Sequence, residues 1–324
     1  MIVVPESAVA DLLSPEDAFA AVEAVFAAMA EGEARNFPVV REALPGPEGA
    51  LYGFKGGVDA AGGALGLKAG GYWPRNLERR GLINHQSTVF LFDPETGRPT
   101  AMVGGNLLTA LRTAAAAAVS TAHLARADAR VLGIVGAGHQ AAFQLRQVAA
   151  TRPFERVVAW NRSPERLERL REVAEAVGLP FEAASLEDLG VRADVIVTIV
   201  SAHEPVLMDA HVRPGTHVAC MGTDTRGKQE IDPAVLGRAT VFADEVAQSV
   251  SIGEAQHAVA RGVIAEAAVV PIGDVVRGAH PGRTAEGEVT LFDGTGVGLQ
   301  DLAVAAAVVR RAVERGVAVE VDLS

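Results

Sequence analysis

The sequence predicts an α/β protein with two domains, one doubly wound around a parallel sheet and one of the α+β class. From residue 130 onwards, short apolar strand segments alternate with helical segments, as in a parallel sheet covered on both faces. Between residues 37 and 92, short apolar runs are separated by glycine and proline, which is typical of antiparallel strands. The 324 residues suffice for two domains with separate cores.

The α+β domain is expected to begin with a short strand over residues 1–5 and then a helix. Ser14 is a candidate N-cap with Pro15 at the first helical position, and apolar residues follow at helical spacing as far as Met29. Strands are predicted within 39–40, 51–54, 65–68 and 88–92, with a hairpin turn at 93–97. An alanine-rich helix over 107–127 leads out of this domain.

In the doubly wound domain, strands are predicted at 131–135, 156–160, 193–200, 217–221, 240–243 and 289–292. Helices are predicted at 139–150 and 164–177, after Asp244, and through 301–311 at the end of the chain. We therefore assign residues 1–115, completed by 300–324, to the α+β domain. Residues 116–299 form the doubly wound domain.

Composition excludes several classes of function. The net charge of −11 argues against a nucleic-acid partner, and an anionic ligand would have to be held by locally placed Arg and Lys. No segment has the pattern of a signal peptide or a membrane span, so we expect no membrane partner. The single cysteine, Cys220, fits a reducing cytoplasm. No spacing of His, Asp or Glu suggests a metal site, and no Ser, His and Asp order suggests a nucleophile.

A glycine-rich turn lies directly after the strand 131–135 and directly before a helix. Its residues are Gly136, Ala137, Gly138, His139, Gln140 and Ala141, which form the pattern G-x-G-x-x-A. At the first turn of an alternating strand–helix domain, this pattern indicates a Rossmann-type site in which the backbone and the helix N-terminus bind a dinucleotide pyrophosphate.

The end of the second strand leaves the choice of dinucleotide open. NAD enzymes often carry an acidic residue here for the ribose 2′-hydroxyl, but this chain has Asn161 and Arg162. Arg162 would pair with a 2′-phosphate, which favours NADP(H). Alternatively, Arg162 is a solvated turn residue and Asn161 holds the ribose.

Four separated segments also have a pattern in common with one family. They are residues 66–68 (GLK), 108–115 (LTALRTAA), the glycine-rich turn and 222–230 (GTDTRGKQE). Together they resemble the ornithine cyclodeaminase/mu-crystallin family of NAD(P)-dependent enzymes, over almost the whole chain. Residues 36–42, 52–57, 70–74, 83–87 and 244–251 resemble one subgroup of that family, the iminosuccinate reductases. This second resemblance implies NADH as the cofactor.

The resemblance implies a role for several residues. Arg41, Lys68 and Arg112 would hold the substrate α-carboxylate, and Lys68 or Asp224 would transfer the proton at the substrate nitrogen. Burial beside two arginines would lower the pKa of Lys68. Thr223 would join the glycine-rich turn in binding the cofactor. Lys228 and Glu230 are expected to orient the Asp224 loop as a structural pair.

The site must account for the anionic partner of Arg112 and for any second carboxylate of the substrate. Arg112 lies in an apolar helix and needs an anionic partner, which the resemblance makes the substrate rather than a structural carboxylate. A substrate with two carboxylates needs a second group of donors, for which His85 is our choice. The full set of candidates is Lys55, Tyr72, Asn84, His85, Gln86 and Ser87. Each of them is nearly as often a structural polar group.

The resemblance implies NAD(P)H-dependent reduction of a small anionic α-imino acid to the L-amino acid, with iminosuccinate to L-aspartate first. The alternatives are an ornithine cyclodeaminase, an alanine dehydrogenase or ketimine reductase, and a binding protein for NADPH and a small ligand. In this family the sheet of the substrate domain forms a dimer interface, so the resemblance also implies a homodimer.

Overall fold

The computed structural model describes residues 1–46 and 49–322 of the chain. The chain divides into two compact units: unit 1 consists of Met1–Arg112 with Val297–Ser324, and unit 2 consists of Thr113–Gly296. The sequence predicts these divisions after residues 115 and 299. In the part of the chain that the structure describes, no helix has both the length and the apolar character needed to cross a membrane.

Unit 1 is built on one mixed sheet. Its strands are β1 (Ile2–Val4), β2 (Ala34–Asn36), β3 (Val40–Ala43), β4 (Leu51–Asp59), β5 (Ala64–Tyr72), β6 (His85–Phe92), β7 (Pro99–Gly104) and β18 (Val319–Glu320). The strand order is β18-β1-β7-β6-β5-β4-β2, and β3 pairs with β4. All pairs are antiparallel except β1 with β7, which agrees with the mostly antiparallel sheet that the sequence predicts.

The helices of unit 1 are α1 (Glu6–Leu12), α2 (Pro15–Glu31), α3 (Asn76–Arg80) and α12 (Gly298–Glu314), and α4 (Asn106–Leu124) begins there. The predicted start of α2 is confirmed, because the Ser14 hydroxyl accepts a hydrogen bond from the Asp17 N–H at 3.2 Å. Helix α12 packs closely on β4 and β5. A Cβ at Gly57 or Gly66 would lie 2.9 Å from Leu299 or Leu302, so only glycine permits this approach.

The two faces of the unit 1 sheet differ in character. On the inner face, which α12 covers, cross-strand neighbours include Lys55 with Lys68 and Lys68 with Val89. On the outer face, apolar side chains remain partly or largely exposed. They are Val40, Tyr52, Phe54, Leu65, Leu67, Phe90, Phe92 and Met102. A shallow apolar depression on this face is lined in part by Phe37, Leu65 and Phe92.

Unit 2 contains the doubly wound domain. Its eight-stranded sheet is built from β8 (Val131–Val135), β9 (Arg156–Trp160), β10 (Phe181–Ala183), β11 (Val195–Thr198), β13 (His217–Cys220), β15 (Ala239–Ala243), β16 (Val269–Pro271) and β17 (Val289–Asp293). All strands are parallel, in the order β10-β9-β8-β11-β13-β17-β15-β16. The predicted doubly wound, Rossmann-type sheet is therefore confirmed, and β8 and β9 have the predicted bounds.

The helices of unit 2, besides the rest of α4, are α5 (Ala141–Ala149), α6 (Glu168–Ala176), α7 (Leu186–Arg192), α8 (Pro233–Arg238), α9 (Val246–Ile252), α10 (Ala255–Ala260) and α11 (Ile272–Val276). A small parallel sheet of β12 (His203–Leu207) and β14 (Gln229–Ile231) was not foreseen. Strand β14 begins directly after the segment that carries Asp224 and Lys228, so this sheet anchors one end of that loop.

Candidate functional site

A cluster of buried cations lies on the inner face of unit 1. Lys68 on β5 and Arg112 on α4 are each only 6% exposed, and both contact the carboxylate of Asp301, which is fully buried in the first turn of α12. The Lys68 Nζ lies 2.8 Å from Asp301 Oδ2, and Arg112 Nε lies 3.0 Å from Oδ1. Arg112 Nη1 also donates to Gln300 Oε1 at 2.9 Å. We call Lys55, Lys68 and Arg112 the cation cluster.

Lys55 joins this cluster through strand register. It lies directly opposite Lys68 in the antiparallel pairing of β4 with β5, and it is 7% exposed. Two like charges directly opposite one another on a sheet are destabilising, and burial increases that cost. A site that keeps this arrangement is suited to an anion with more than one negative charge.

Burial and neighbouring charges shift the pKa values in this cluster. Burial, together with the charge of Arg112, lowers the pKa of Lys68 to about 7, and the Asp301 carboxylate partly opposes the shift. The pKa of Asp301 lies below its ordinary value because Arg112 and Lys68 outweigh the effect of burial. Burial and the charge of Lys68 lower the pKa of His85 to about 3, so this imidazole is neutral near pH 7.

Of the other candidates for a second carboxylate site, three lie in local or exposed hydrogen bonds, and Ser87 lies near the cation cluster. Asn84 and Gln86 hold local structure: the Asn84 side chain accepts from the Leu77 N–H at 2.9 Å, and Gln86 Nε2 donates to the Ile83 carbonyl at 2.9 Å. Tyr72 is exposed, and its hydroxyl accepts from Asn84. Ser87 Oγ lies 3.4 Å from Thr109 Oγ1, which itself lies 3.5 Å from Lys68 Nζ.

Arg41, the third cation assigned to the α-carboxylate, is exposed on β3. It pairs in register with Gly53, on the same face as Lys55. Its charge contributes to the lowered pKa of His85, although less than the charges of Lys68 and Arg112. The structure thus brings Lys68, Arg112, Lys55 and His85 together, while Arg41 stands farther out.

Arg112 has a structural carboxylate as one partner, whereas the sequence analysis favoured the substrate. That the substrate also binds Arg112 stays a prediction. The structure supplies a structural carboxylate, Asp301, because the glycines of β4 and β5 let the first turn of α12 approach the cluster. Sequence analysis assigned no role to Gln300 and Asp301. A signal was available: Asp301 is directly followed by the apolar helix segment 302–309, where an unpaired carboxylate would be costly.

In unit 2, the glycine-rich turn joins β8 to α5. Gly136 has a φ of +113°, and a Cβ there would lie 2.7 Å from the Ile199 carbonyl oxygen, so the tight turn requires glycine. A Cβ at Gly138 would meet no other atom within 4 Å. Gly138 and His139 are exposed, directly before the helix N-terminus. Open space over an exposed backbone at this position fits a dinucleotide pyrophosphate.

Asn161 supports this turn. Its Oδ1 accepts from the Ala137 N–H at 3.1 Å, and its Nδ2 donates to the Ser163 carbonyl at 2.8 Å. Both polar ends of the side chain are therefore used inside the protein, which makes Asn161 a residue that positions the turn. Arg162 is exposed. Gln140 Oε1 is buried and accepts no hydrogen bond from any residue that the structure describes.

The Asp224 loop is held from several sides. Lys228 Nζ lies 2.8 Å from Asp224 Oδ1, and the two side chains are partly exposed. From α10, Gln256 Oε1 accepts from the Gly227 N–H at 2.8 Å, and His257 Nε2 lies 2.8 Å from the Lys228 carbonyl oxygen. This network fixes the Asp224 carboxylate beside a cation.

The expected pairing of Lys228 with Glu230 is corrected by these contacts. Lys228 pairs with Asp224, whereas the Glu230 carboxylate is fully buried and accepts from the N–H groups of Val200 and Gly222 at 2.6 and 2.8 Å. Val200 and Gly222 lie just past the carboxyl ends of β11 and β13, so Glu230 ties these two strand ends together. It still orients the loop, but through backbone rather than through Lys228.

Thr223 and two further acids complete this region. Thr223 is 1% exposed and donates its hydroxyl hydrogen to Glu254, so its side chain is used inside unit 2. Burial raises the pKa of Glu230 and of Asp293 to about 7, and the pKa of Glu254 lies well above its ordinary value for the same reason. Among the residues described, no three His, Cys, Asp or Glu side chains are placed to hold a metal ion.

The chain is similar to known proteins over almost its whole length. The model of the ornithine cyclodeaminase/mu-crystallin family matches residues 2–316. The chain belongs to this family. The resemblance drawn from the four sequence segments is therefore confirmed.

Three relatives in this family are similar over their full length. The chain is 62% identical over 323 residues to the iminosuccinate reductase of Paracoccus denitrificans, covering 100% of both chains. The crystal structure of that enzyme in complex with NAD+ has a TM-score of 0.95 and covers 100% of this chain and 99% of that chain.

The other two relatives are more distant. An archaeal alanine dehydrogenase dimer with bound NAD is 31% identical, with a TM-score of 0.94 and coverage of 100% of this chain and 99% of that chain. The Δ1-pyrroline-2-carboxylate reductase of Thermococcus litoralis, in complex with NADH and L-proline, is 26% identical, with a TM-score of 0.93 and coverage of 99% and 100%. These family members share the fold of the chain in both of its units.

Proposed function

We propose that this protein is an NADH-dependent oxidoreductase that reduces the C=N bond of iminosuccinate to give L-aspartate. The observation that carries the choice of substrate is the pair of buried lysines, Lys55 and Lys68, directly opposite one another beside Arg112. Buried cations placed this close together favour an anionic ligand, and the second lysine favours a dianion. The 62% identity to an iminosuccinate reductase supports the same reaction.

In this proposal Arg112 binds the α-carboxylate. Its Nε and Nη1 are held by Asp301 and Gln300, which orients the guanidinium and directs its remaining N–H groups to the ligand. Lys55 and neutral His85 bind the second carboxylate, His85 as a hydrogen-bond donor. Tight placement of both carboxylates presents one face of the α-carbon.

The proton that accompanies the hydride comes from Lys68. With a pKa of about 7, this lysine is present in both protonation states near neutral pH, as a proton donor requires. Asp224 is paired with Lys228 at 2.8 Å, which favours its carboxylate form. It therefore accepts a hydrogen bond from the substrate nitrogen. Overall, the imine, a hydride and a proton give the amine.

The glycine-rich turn is the site for the dinucleotide, and its fit rests on the open space beside Gly138. The N–H groups from Gly138 to Gln140 would hold the pyrophosphate, with Ala137 in the turn and His139 beside it, while Asn161 and Thr223 support the loops. Bound nicotinamide dinucleotide supplies the hydride. We propose NADH as the main cofactor, with NADPH as the alternative that exposed Arg162 leaves open.

The experiment is a spectrophotometric assay of the purified protein with NADH or NADPH and one carbonyl compound plus ammonia. We expect oxidation of the cofactor with oxaloacetate plus ammonia, slower oxidation with pyruvate or glyoxylate plus ammonia, and loss of activity in Lys68→Met and Asp224→Asn. Release of ammonia from L-ornithine without turnover of imines would overturn the proposal and indicate a cyclodeaminase.

We also propose that two copies of the chain associate through the outer face of the unit 1 sheet. This face carries apolar side chains that the described residues leave partly exposed, and the alanine dehydrogenase relative was solved as a dimer. Light scattering should give twice the mass of one chain, and Leu67→Glu should give a monomer, whereas the exposed control Val263→Glu in unit 2 should not. A monomeric wild type at micromolar concentration refutes this interface. We propose a cytoplasmic location as well, because the single cysteine, Cys220, is buried and forms no disulfide.

A further inference from the structure

Asp301 contacts two members of the cation cluster at once. Its side chain is fully buried, and its two carboxylate oxygens contact Lys68 at 2.8 Å and Arg112 at 3.0 Å. Thr109 Oγ1 lies 3.5 Å from both Asp301 Oδ1 and Lys68 Nζ. The first turn of a helix also favours a negative charge at Asp301. All of these contacts lie within unit 1.

We propose that Asp301 is a positioning residue that acts through Lys68: it holds the Lys68 ammonium in place and keeps it protonated up to neutral pH. Asp301 thereby sets the pH range in which Lys68 can transfer a proton. This inference rests on the proposed function for the role of Lys68 in the reaction, whereas the effect of Asp301 on the protonation of Lys68 is independent of it.

The charges around Lys68 come from every neighbouring element of the sheet. Lys55 faces it from β4, Arg112 from α4 and Asp301 from α12, and Arg41 on β3 adds a more distant positive charge. His85 on β6 is a titratable neighbour that is neutral in this pH range. Arg112 and Lys55 favour the neutral amine of Lys68, as does burial. Asp301 favours the ammonium through both its charge and its hydrogen bond. Removal of that charge therefore lowers the pKa of Lys68 further.

The contacts of Arg112 allow this effect to be separated from carboxylate binding. Arg112 is held by Gln300 at 2.9 Å as well as by Asp301. In Asp301→Asn, the new side-chain oxygen still accepts from Arg112 Nε, and Gln300 is unchanged. We therefore expect KM at low pH to change by only a few-fold, while the pH dependence of kcat/KM changes strongly.

The main experiment compares the pH–rate profiles of Asp301→Asn and wild type between pH 5.5 and 9. The imine forms in solution to the same extent in both assays, so the ratio of the two rates at each pH cancels its own pH dependence. An opposite charge at this distance shifts a pKa by about one to three units, so the alkaline limb should move down by about that much. Between the two midpoints, the ratio of the variant rate to the wild-type rate should then fall about tenfold for each pH unit. A ratio that stays constant with pH would overturn the inference.

A matched control removes another acid–arginine pair of unit 1. Asp17 pairs with Arg311, which also lies on α12 but away from the cation cluster. Asp17→Asn should lower the melting temperature and leave the midpoint of the pH–rate profile unchanged. Asp301→Glu keeps the charge, so it should retain the wild-type midpoint even if kcat falls. A downward shift in Asp301→Glu as large as in Asp301→Asn would also overturn the inference.

A second measurement needs no turnover. The difference in unfolding free energy between wild type and Lys68→Met reports the titration of Lys68, because its lowered pKa makes stability rise with pH above about 7. The same difference in the Asp301→Asn background should extend this rise to lower pH. If no imine is reduced but this shift is found, the proposed function fails and the inference stands. If the two curves coincide, the inference fails whatever the reaction.

Discussion

Replacement of Lys55 by methionine should separate dicarboxylate from monocarboxylate substrates. Lys55 is buried opposite Lys68, and methionine keeps an unbranched apolar stem of similar length while it removes the charge. A hydrogen bond to a charged group contributes about 1.5–3 kcal/mol, which corresponds to roughly a 10- to 150-fold effect on kcat/KM. We expect that loss for iminosuccinate and a change of at most a few-fold for the imine of pyruvate.

The same replacement has a second consequence that a simple loss of packing would not produce. Without the charge of Lys55, which lowers the pKa of Lys68, the pKa of Lys68 should rise above about 7. The alkaline limb of the pH–rate profile should therefore move upward, in the direction opposite to Asp301→Asn. Steady-state assays with oxaloacetate and with pyruvate, each with ammonia, measure both effects. Equal losses for the two substrates with an unchanged pH profile would refute the reasoning.

Three further predictions concern unit 2. Gly138→Val should raise the Kd for NADH at least tenfold with an unchanged melting temperature, because the side chain meets open space in the protein but fills the space over the turn; an unchanged Kd in a fluorescence titration contradicts this. Glu230→Gln should lower the unfolding free energy, measured in urea, by about 1–3 kcal/mol, because the new amide N–H₂ would face the backbone N–H of Val200 or Gly222. An unfolding free energy equal to that of the wild type would refute the role of Glu230 in holding the two strand ends together. Burial raises the pKa of Asp293 to about 7, so its contribution to stability is present below about pH 4 and is lost as the pH rises to 7. The unfolding free energy of Asp293→Asn should therefore depend less on pH between 4 and 7.5 than that of the wild type. Parallel plots of unfolding free energy against pH for the two proteins would contradict this.

Much of the fold follows from local sequence patterns. The apolar run 131–135 and the Ser14 N-cap each carry their signal within a few residues, and both appear in the structure as expected. Strand β14 carries no such signal, because three residues of mixed polarity become a strand only through pairing with β12. Its formation depends on tertiary contacts rather than on local propensity.

The site also contains residues with a local sequence signal and residues that depend on tertiary contacts. The glycine-rich turn is recognisable from sequence by its strand–turn–helix pattern, and Arg112 stands out because a cation in an apolar helix needs an anionic partner. Asp301 lies 189 positions after Arg112, and the contact between them depends on how α12 packs on the sheet. The pairing of Lys55 with Lys68 depends on the register of one hairpin, and a shift of one residue would place one of them on the other face.

The cation cluster also predicts how ligands affect stability. In the free protein, the buried charges of Lys55, Lys68 and Arg112 lie around Asp301, and their mutual repulsion opposes folding of unit 1. A dianion relieves that repulsion, and a ligand at 100 times its Kd adds about 2.7 kcal/mol to the unfolding free energy. Succinate should therefore raise the melting temperature by several degrees, more than propionate at equal ionic strength.

Lys55→Met provides the internal control for this measurement. With one cation fewer, succinate should stabilise the variant no more than propionate does. Thermal unfolding followed by intrinsic fluorescence, with the two acids in parallel, gives both values. If succinate and propionate stabilise the wild type equally, the cluster does not bind two carboxylates. The substrate would then be a monocarboxylic imine, even if NADH-dependent imine reduction itself is observed.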